Sequence, residues 1–96
     1  MKKYGKIDVN QPEIVKALRK IGCSVKSLAS VGHGCPDILV GYRKLNFLIE
    51  IKDGDKPPSQ QKLTPDEQEF HDGWNGQIEV ANSVQQALDI VTRGAK

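Results

Sequence analysis

Apolar residues recur at Ile14, Leu18 and Ile21, with Val15 and Ala17 at the edges of the same arc. That spacing predicts an amphipathic helix. Asn10 stands where a cap belongs, Pro12 suits the first turn, and Gly22 stops the helix. A strand is expected from Ser24 to about Ala29, then a bend at Gly32-His33-Gly34. From Gly34 to Gly54 most apolar positions alternate, as in a half-buried β-hairpin. Residues 53–62, DGDKPPSQQK, carry two prolines and no period, so they read as a loop. Thr64, Pro65 and Glu67 form the capping box of a second helix. GQIEVAN reads as a short strand. Ser83 and Gln86 open a last helix as a second capping box, with Gly94 after its end. The order α-β-β-β-α-β-α predicts an α/β (α+β) domain with a central mixed sheet flanked by helices. At 96 residues the chain is expected to be one domain, 1–96.

The hairpin places three charges where a sheet should be simple. Residues two apart share a strand face, so Glu50 and Lys52 point the same way. A two-residue Lys44-Leu45 turn would set Asp37 opposite Lys52 and Leu39 opposite Glu50. One face would then collect Asp37, Leu39, Gly41, Leu48, Glu50 and Lys52. The other would hold Ile38, Val40, Tyr42, Phe47, Ile49 and Ile51. A slip of one residue would mix the sets, which favours this register. Taken alone, Ile-Glu-Ile-Lys is an ordinary amphipathic strand with its polar face wet. Pro36-Asp37 at matching height on the neighbouring strand is what makes a site worth considering.

Charge sharpens the picture. Residues 1–52 hold ten Lys or Arg against four acids, a net of +6, and residues 53–96 carry four against eight, a net of −4. A basic half suits a polyanionic partner, though folding can scatter such charges. No apolar run approaches the roughly 20 residues of a membrane span. MKKYGKIDVN lacks the apolar core of a signal peptide, so a cytoplasmic protein is expected. The unpaired Cys23 and Cys35 fit that compartment, and His33-x-Cys35 is not a usual zinc spacing.

Two acids at one point need a cation, or one must hold a proton. Mg²⁺ (or Mn²⁺) would suit carboxylate oxygens, polarise a phosphate and activate water. Lys52 would add positive charge where a phosphorane becomes more negative. Those are the parts phosphodiester hydrolysis requires.

CPDILVGY followed by FLIEIKDG resembles the signature of the PD-(D/E)xK nucleases, with their restriction-endonuclease-like core. Glu13 on a leading helix, GCPDILV, FLIEIK and LTPDEQEFHDGWNGQIEVANS are more narrowly similar to the virus-type replication-repair nuclease (VRR-NUC) domain. The resemblance spans about residues 10–92 and is to the stand-alone form of phages and bacteria. It implies that Asp37, Glu50 and the Ile51 backbone carbonyl bind metal. It implies that Lys52 is the catalytic lysine and that Glu13 completes the site, directly or through water. Gln68 would contact substrate phosphate or orient Lys52. His33 and Cys35 around Gly34 depart from the family's usual small residues.

Each residue has a plainer reading beside this one. Glu13 alone could complete a capping box with Asn10, and Gln68 could be solvated. Phe70 and Trp74 read as core. Lys16, Arg19, Lys20, Lys26, Lys56 and Lys62 are candidate DNA-phosphate contacts or ordinary surface. The implied function is a Mg-dependent, structure-selective DNA endonuclease, a homodimer resolving four-way junctions. A flap-directed or site-specific nuclease, a non-catalytic DNA-binding module and a small protein-interaction domain are the alternatives.

Overall fold

The computed structural model describes residues 9–95. Its elements are α1 (Gln11–Lys20), β1 (Ser24–Ser27), β2 (Ile38–Tyr42), β3 (Leu45–Ile51), α2 (Pro65–Gly73), β4 (Ile78–Ala81) and α3 (Val84–Gly94). The order is the one the hydrophobic pattern predicts. The 53–62 loop adds one short 3₁₀ turn, Pro58–Gln60. The strands lie in the order β1-β2-β3-β4, antiparallel except for the parallel β3-β4 pair. A parallel pair needs a crossover, and α2 lies in the connection that supplies it.

The hairpin's apolar set forms the floor of the core. Ile38, Val40, Phe47, Ile49 and Ile51 are buried against Ile14 and Leu18 of α1 and Ala87, Ile90 and Val91 of α3. Both helices therefore pack on one face of the sheet. Helix α2 contributes no buried residue and meets the opposite face.

Helix α1 ends as its sequence demands. Gly22 takes φ +102°, and the Gly22 and Cys23 amides donate to the carbonyls of Arg19 and Leu18. This is a Schellman closure, and it needs a residue tolerant of positive φ. The start of α1 differs from expectation. Asn10 makes no side-chain cap. Its Nδ2 donates instead to the Lys52 carbonyl at 3.0 Å and the Asn82 carbonyl at 3.4 Å, which fastens α1 to the ends of β3 and β4. Strand β1 stops at Ser27 rather than Ala29. Only half of the second capping box forms: Ser83 accepts the Gln86 amide, but Gln86 Oε1 accepts from Asn82. Gly94 is the last residue of α3 rather than the one past its end, and its lack of a side chain matters there: a Cβ would stand 2.5 Å from Phe47 Cε2.

The hairpin turn is Arg43-Lys44, not Lys44-Leu45, and pairs Tyr42 with Leu45. Both turn residues have positive φ, 51° and 73°. That is the geometry of a type I′ turn, which matches strand twist. The register is thus two residues away from the expected one: Leu39 faces Leu48, not Glu50. An even shift preserves every face assignment but changes who meets whom. Continued outward, this register sets Asp37 level with Glu50 instead of Lys52.

Gly34 fixes the loop before β2. It has φ +80°, and a Cβ on it would collide with the Asp66 carbonyl in the first turn of α2. Gly34→Ala should therefore cost about 2–4 kcal/mol, combining a strained φ with a backbone clash. Gly73→Ala, with nothing within 4 Å of the new methyl, should be nearly neutral. Denaturant midpoints of the two variants test this, and equal midpoints would contradict the contact.

Candidate active site

Asp37 immediately precedes β2, and Glu50 and Lys52 lie at the end of β3. Pro36 comes opposite Ile51 when the register is continued by one pair beyond Ile38 and Ile49. A proline has no N–H to offer the Ile51 carbonyl, so normal ladder pairing cannot continue there. The Asp37 carboxylate takes over part of it: Oδ2 accepts the Ile51 N–H at 2.6 Å. This bond pins Asp37 against the strand that carries Glu50.

Glu50 is the unusual group. It is only 4% exposed, so the wet polar face that Ile-Glu-Ile-Lys suggests when taken alone does not form at this position. Its Oε1 is buried with no hydrogen-bond partner. Burial, then the Asp37 and Glu67 carboxylates, push the Glu50 carboxyl up to about 9, with Lys52 pulling the other way. Without a cation, Glu50 is therefore protonated at neutral pH. Burial, then Glu50 and Asp37, also push the Cys35 thiol up.

Lys52 stands beside this pair. Its Nζ is 3.7 Å from Glu50 Oε2 and 2.8 Å from Glu67 Oε1. Glu67 is the member that sequence reading missed. Its capping box was legible and is present, with Thr64 N donating to Oε1 at 2.9 Å and Glu67 N to Thr64 Oγ1 at 3.3 Å. Nothing in the pattern revealed that the same oxygen would also receive Lys52. Burial pushes Glu67 up, but its bonds from Lys52 and Thr64 outweigh that and hold its carboxyl below the ordinary value.

The donor chemistry fits a divalent metal. An orphaned, buried carboxylate oxygen next to a second carboxylate is a hard-oxygen arrangement that a cation would relieve. Asp37, Glu50 and the Ile51 carbonyl could hold such an ion. Among the described residues no three acid, imidazole or thiol side chains cluster tightly enough to bind one by themselves. Water would complete the shell, as Mg²⁺ prefers.

A solved structure titled "VRR_NUC domain" superposes on this chain with a TM-score of 0.63 at 21% identity, covering 88% of this chain and 97% of that one. The chain has the fold of a VRR-NUC domain. No protein-family model and no curated protein matches the sequence.

The other residues expected of a VRR-NUC site are placed less closely together. Glu13 is exposed in the first turn of α1. That turn is tied to the Lys52 carbonyl through Asn10, but the Glu13 side chain does not join the cluster of Asp37, Glu50, Lys52 and Glu67. Gln68 is exposed and donates to Asp72 at 2.9 Å, and it is the preceding residue, Glu67, that contacts Lys52. Lys16, Lys20, Lys26, Lys56 and Lys62 are all exposed. Lys26 pairs with Leu39 and so shares the face of the acids. Lys16 and Lys20 ride on α1, across the sheet. Arg19 is occupied in donating to the Val25 carbonyl at 3.1 Å. Trp74 is not a core residue: it is 46% exposed and stacks on Phe70 with centroids 5.3 Å apart.

Proposed function

We propose that this protein is a divalent-metal-dependent DNA endonuclease that resolves four-way junctions. The observation that carries the nuclease reading is the Asp37–Glu50 pair, with its unpartnered buried oxygen and the Lys52 ammonium alongside. The VRR-NUC fold supports it. A bound Mg²⁺ or Mn²⁺ would supply Lewis-acid polarisation of the phosphate and a more acidic water. Asp37 holds its carboxylate in place through the Ile51 amide, and Glu50 ionises when the cation is present. Lys52 places positive charge where the phosphate oxygens gain negative charge during in-line attack. Glu13, on the turn adjoining the Lys52 backbone, would reach a bound ion only through water, and Gln68 on α2 would meet a substrate phosphate. Lys26, on the acid-bearing face, and Lys56 and Lys62, after β3, hold the DNA backbone, with Lys16 and Lys20 reaching it from α1. Affinity then falls with salt and depends little on base sequence.

A four-way junction has approximate two-fold symmetry, and a two-fold dimer could nick strands of like polarity at matching positions. Among apolar residues that an interface could cover, Val9 is 82% and Trp74 46% exposed. Tyr4 and Ile7 lie outside the described residues. Cleavage of four-way junction, flap and linear duplex in Mg²⁺, paired with sedimentation with and without junction DNA, tests this reading. A dimer that prefers junctions is expected. A monomer, or a preference for flaps, would replace it with the flap-directed alternative. Junction binding with no cleavage in either metal would leave a DNA-binding module.

A further inference from the structure

We propose that Glu67 is a positioning residue for Lys52, a helix-capping carboxylate that holds the lysine's ammonium beyond hydrogen-bond distance of Glu50. This rests on the nuclease reading above. Lysine carries a compact charge on a flexible four-carbon stem. Two residues from Glu50 on the same strand face, it would be expected to bond directly to Glu50 and occupy the place of a cation. With Glu50 it makes only a long ion pair. Nζ stays 3.7 Å from Glu50 Oε2, beyond hydrogen-bond distance, and makes its 2.8 Å bond to Glu67 Oε1.

Glu67 can act as an anchor because it is itself fixed. The oxygen that receives Lys52 also receives the Thr64 amide at 2.9 Å. The carboxylate is thus located by the backbone of the first turn of α2. That turn is located in turn by Gly34, whose Cα lies against the Asp66 carbonyl. Gly34 is three residues before Asp37. One loop therefore carries the first metal-binding acid and supports the helix turn that holds the lysine. The positions of the acid pair and of the ammonium are set together.

Capping alone does not explain an acid at this position. A glutamine completes a capping box as well as a glutamate does. The helix dipole favours an acid in this first turn, and the bond to Lys52 calls for negative charge as well. With Glu67 balancing Lys52, the carboxylates of Asp37 and Glu50 remain for a divalent ion.

Glu67→Gln separates the two roles, since it keeps the cap and removes the charge. It should lower kcat on junction DNA about 10- to 100-fold through misplacement of Lys52, with KM and the Kd measured in Ca²⁺ changed less than about twofold. Ser83→Ala, which removes the cap of α3, is the control for lost stability and should leave kcat unchanged. A Glu67→Gln protein no slower than Ser83→Ala would overturn the proposal. Mn²⁺ affinity by calorimetry gives a readout free of cleavage. Glu67→Gln should weaken Mn²⁺ binding at least about threefold more in the native background than in Lys52→Met, because a released lysine competes with the ion. Equal weakening in both would show that Glu67 acts on the cation directly, which also overturns it. Should the native protein cut no DNA, the nuclease reading fails and the Mn²⁺ comparison alone decides the role of Glu67.

Discussion

Glu50→Gln should raise the melting temperature of the metal-free protein by about 5–10 °C at pH 8 while abolishing metal-dependent cleavage. Glu50 is almost fully buried, with one oxygen unpartnered and two other carboxylates nearby. Its carboxyl is pushed up to about 9 from an ordinary 4.5. Between those values the folded protein holds a proton that the unfolded chain releases. Stability is therefore fully present below about pH 4.5 and is lost as pH rises through about 9. Gln is neutral at every pH and can still donate toward Asp37, so it removes this loss. The gain should be on the order of 1–2 kcal/mol at pH 8, discounted because the proton is shared with Asp37. Melts of both proteins in EDTA at pH 5 and pH 8 test the sign. The gap should open toward pH 8, and a gap that widens toward acid would refute the placement of the proton. The same exchange removes a carboxylate oxygen from the proposed metal site, so the stabilised protein should be inactive. A buried carboxylate kept at a cost in stability is the usual compromise of a functional site.

Lys52→Ala should slow cleavage about 10²- to 10³-fold, the effect of removing one preorganised charge from a transition state. Affinity for DNA in Ca²⁺ should change less than about threefold, because one phosphate contact among several contributes little to binding. The structure adds a second consequence. Lys52 is the ammonium bonded to Glu67 and the positive charge nearest Glu50. Its loss leaves Glu67 half-buried with the Thr64 amide and the Glu50 carboxyl to stabilise its charge. Single-turnover rates in Mg²⁺ and binding in Ca²⁺ separate chemistry from affinity. If rate and affinity fell in equal proportion, Lys52 would serve only to bind DNA.

What local pattern determines was readable without coordinates. The period of Ile14, Leu18 and Ile21, the Thr64–Glu67 box, and the alternation from Ile38 to Ile51 each depend on neighbours within a few residues, so they gave the elements, their order and the two hairpin faces. The exact partner of each residue was not local in that sense. Arg43-Lys44 carries no glycine or asparagine to announce its positive φ values, and tertiary twist selected it over Lys44-Leu45. The even slip left the faces intact but moved Asp37 from Lys52 to Glu50, which put the acids together and set the lysine beyond them. Asn10 looked like a cap because that is what asparagine does before a helix; folding brought two strand-end carbonyls within its reach instead. Glu67 carried a complete local explanation, and so gave no sign of a second role. Only the docking of α2 over the polar face, set by the close approach of Gly34 to Asp66, brought that carboxylate to Lys52. Glu50 is buried on that same face. Burial raises the energy of its charge, and no reading of strand periodicity measures how far water is excluded from one end of a face.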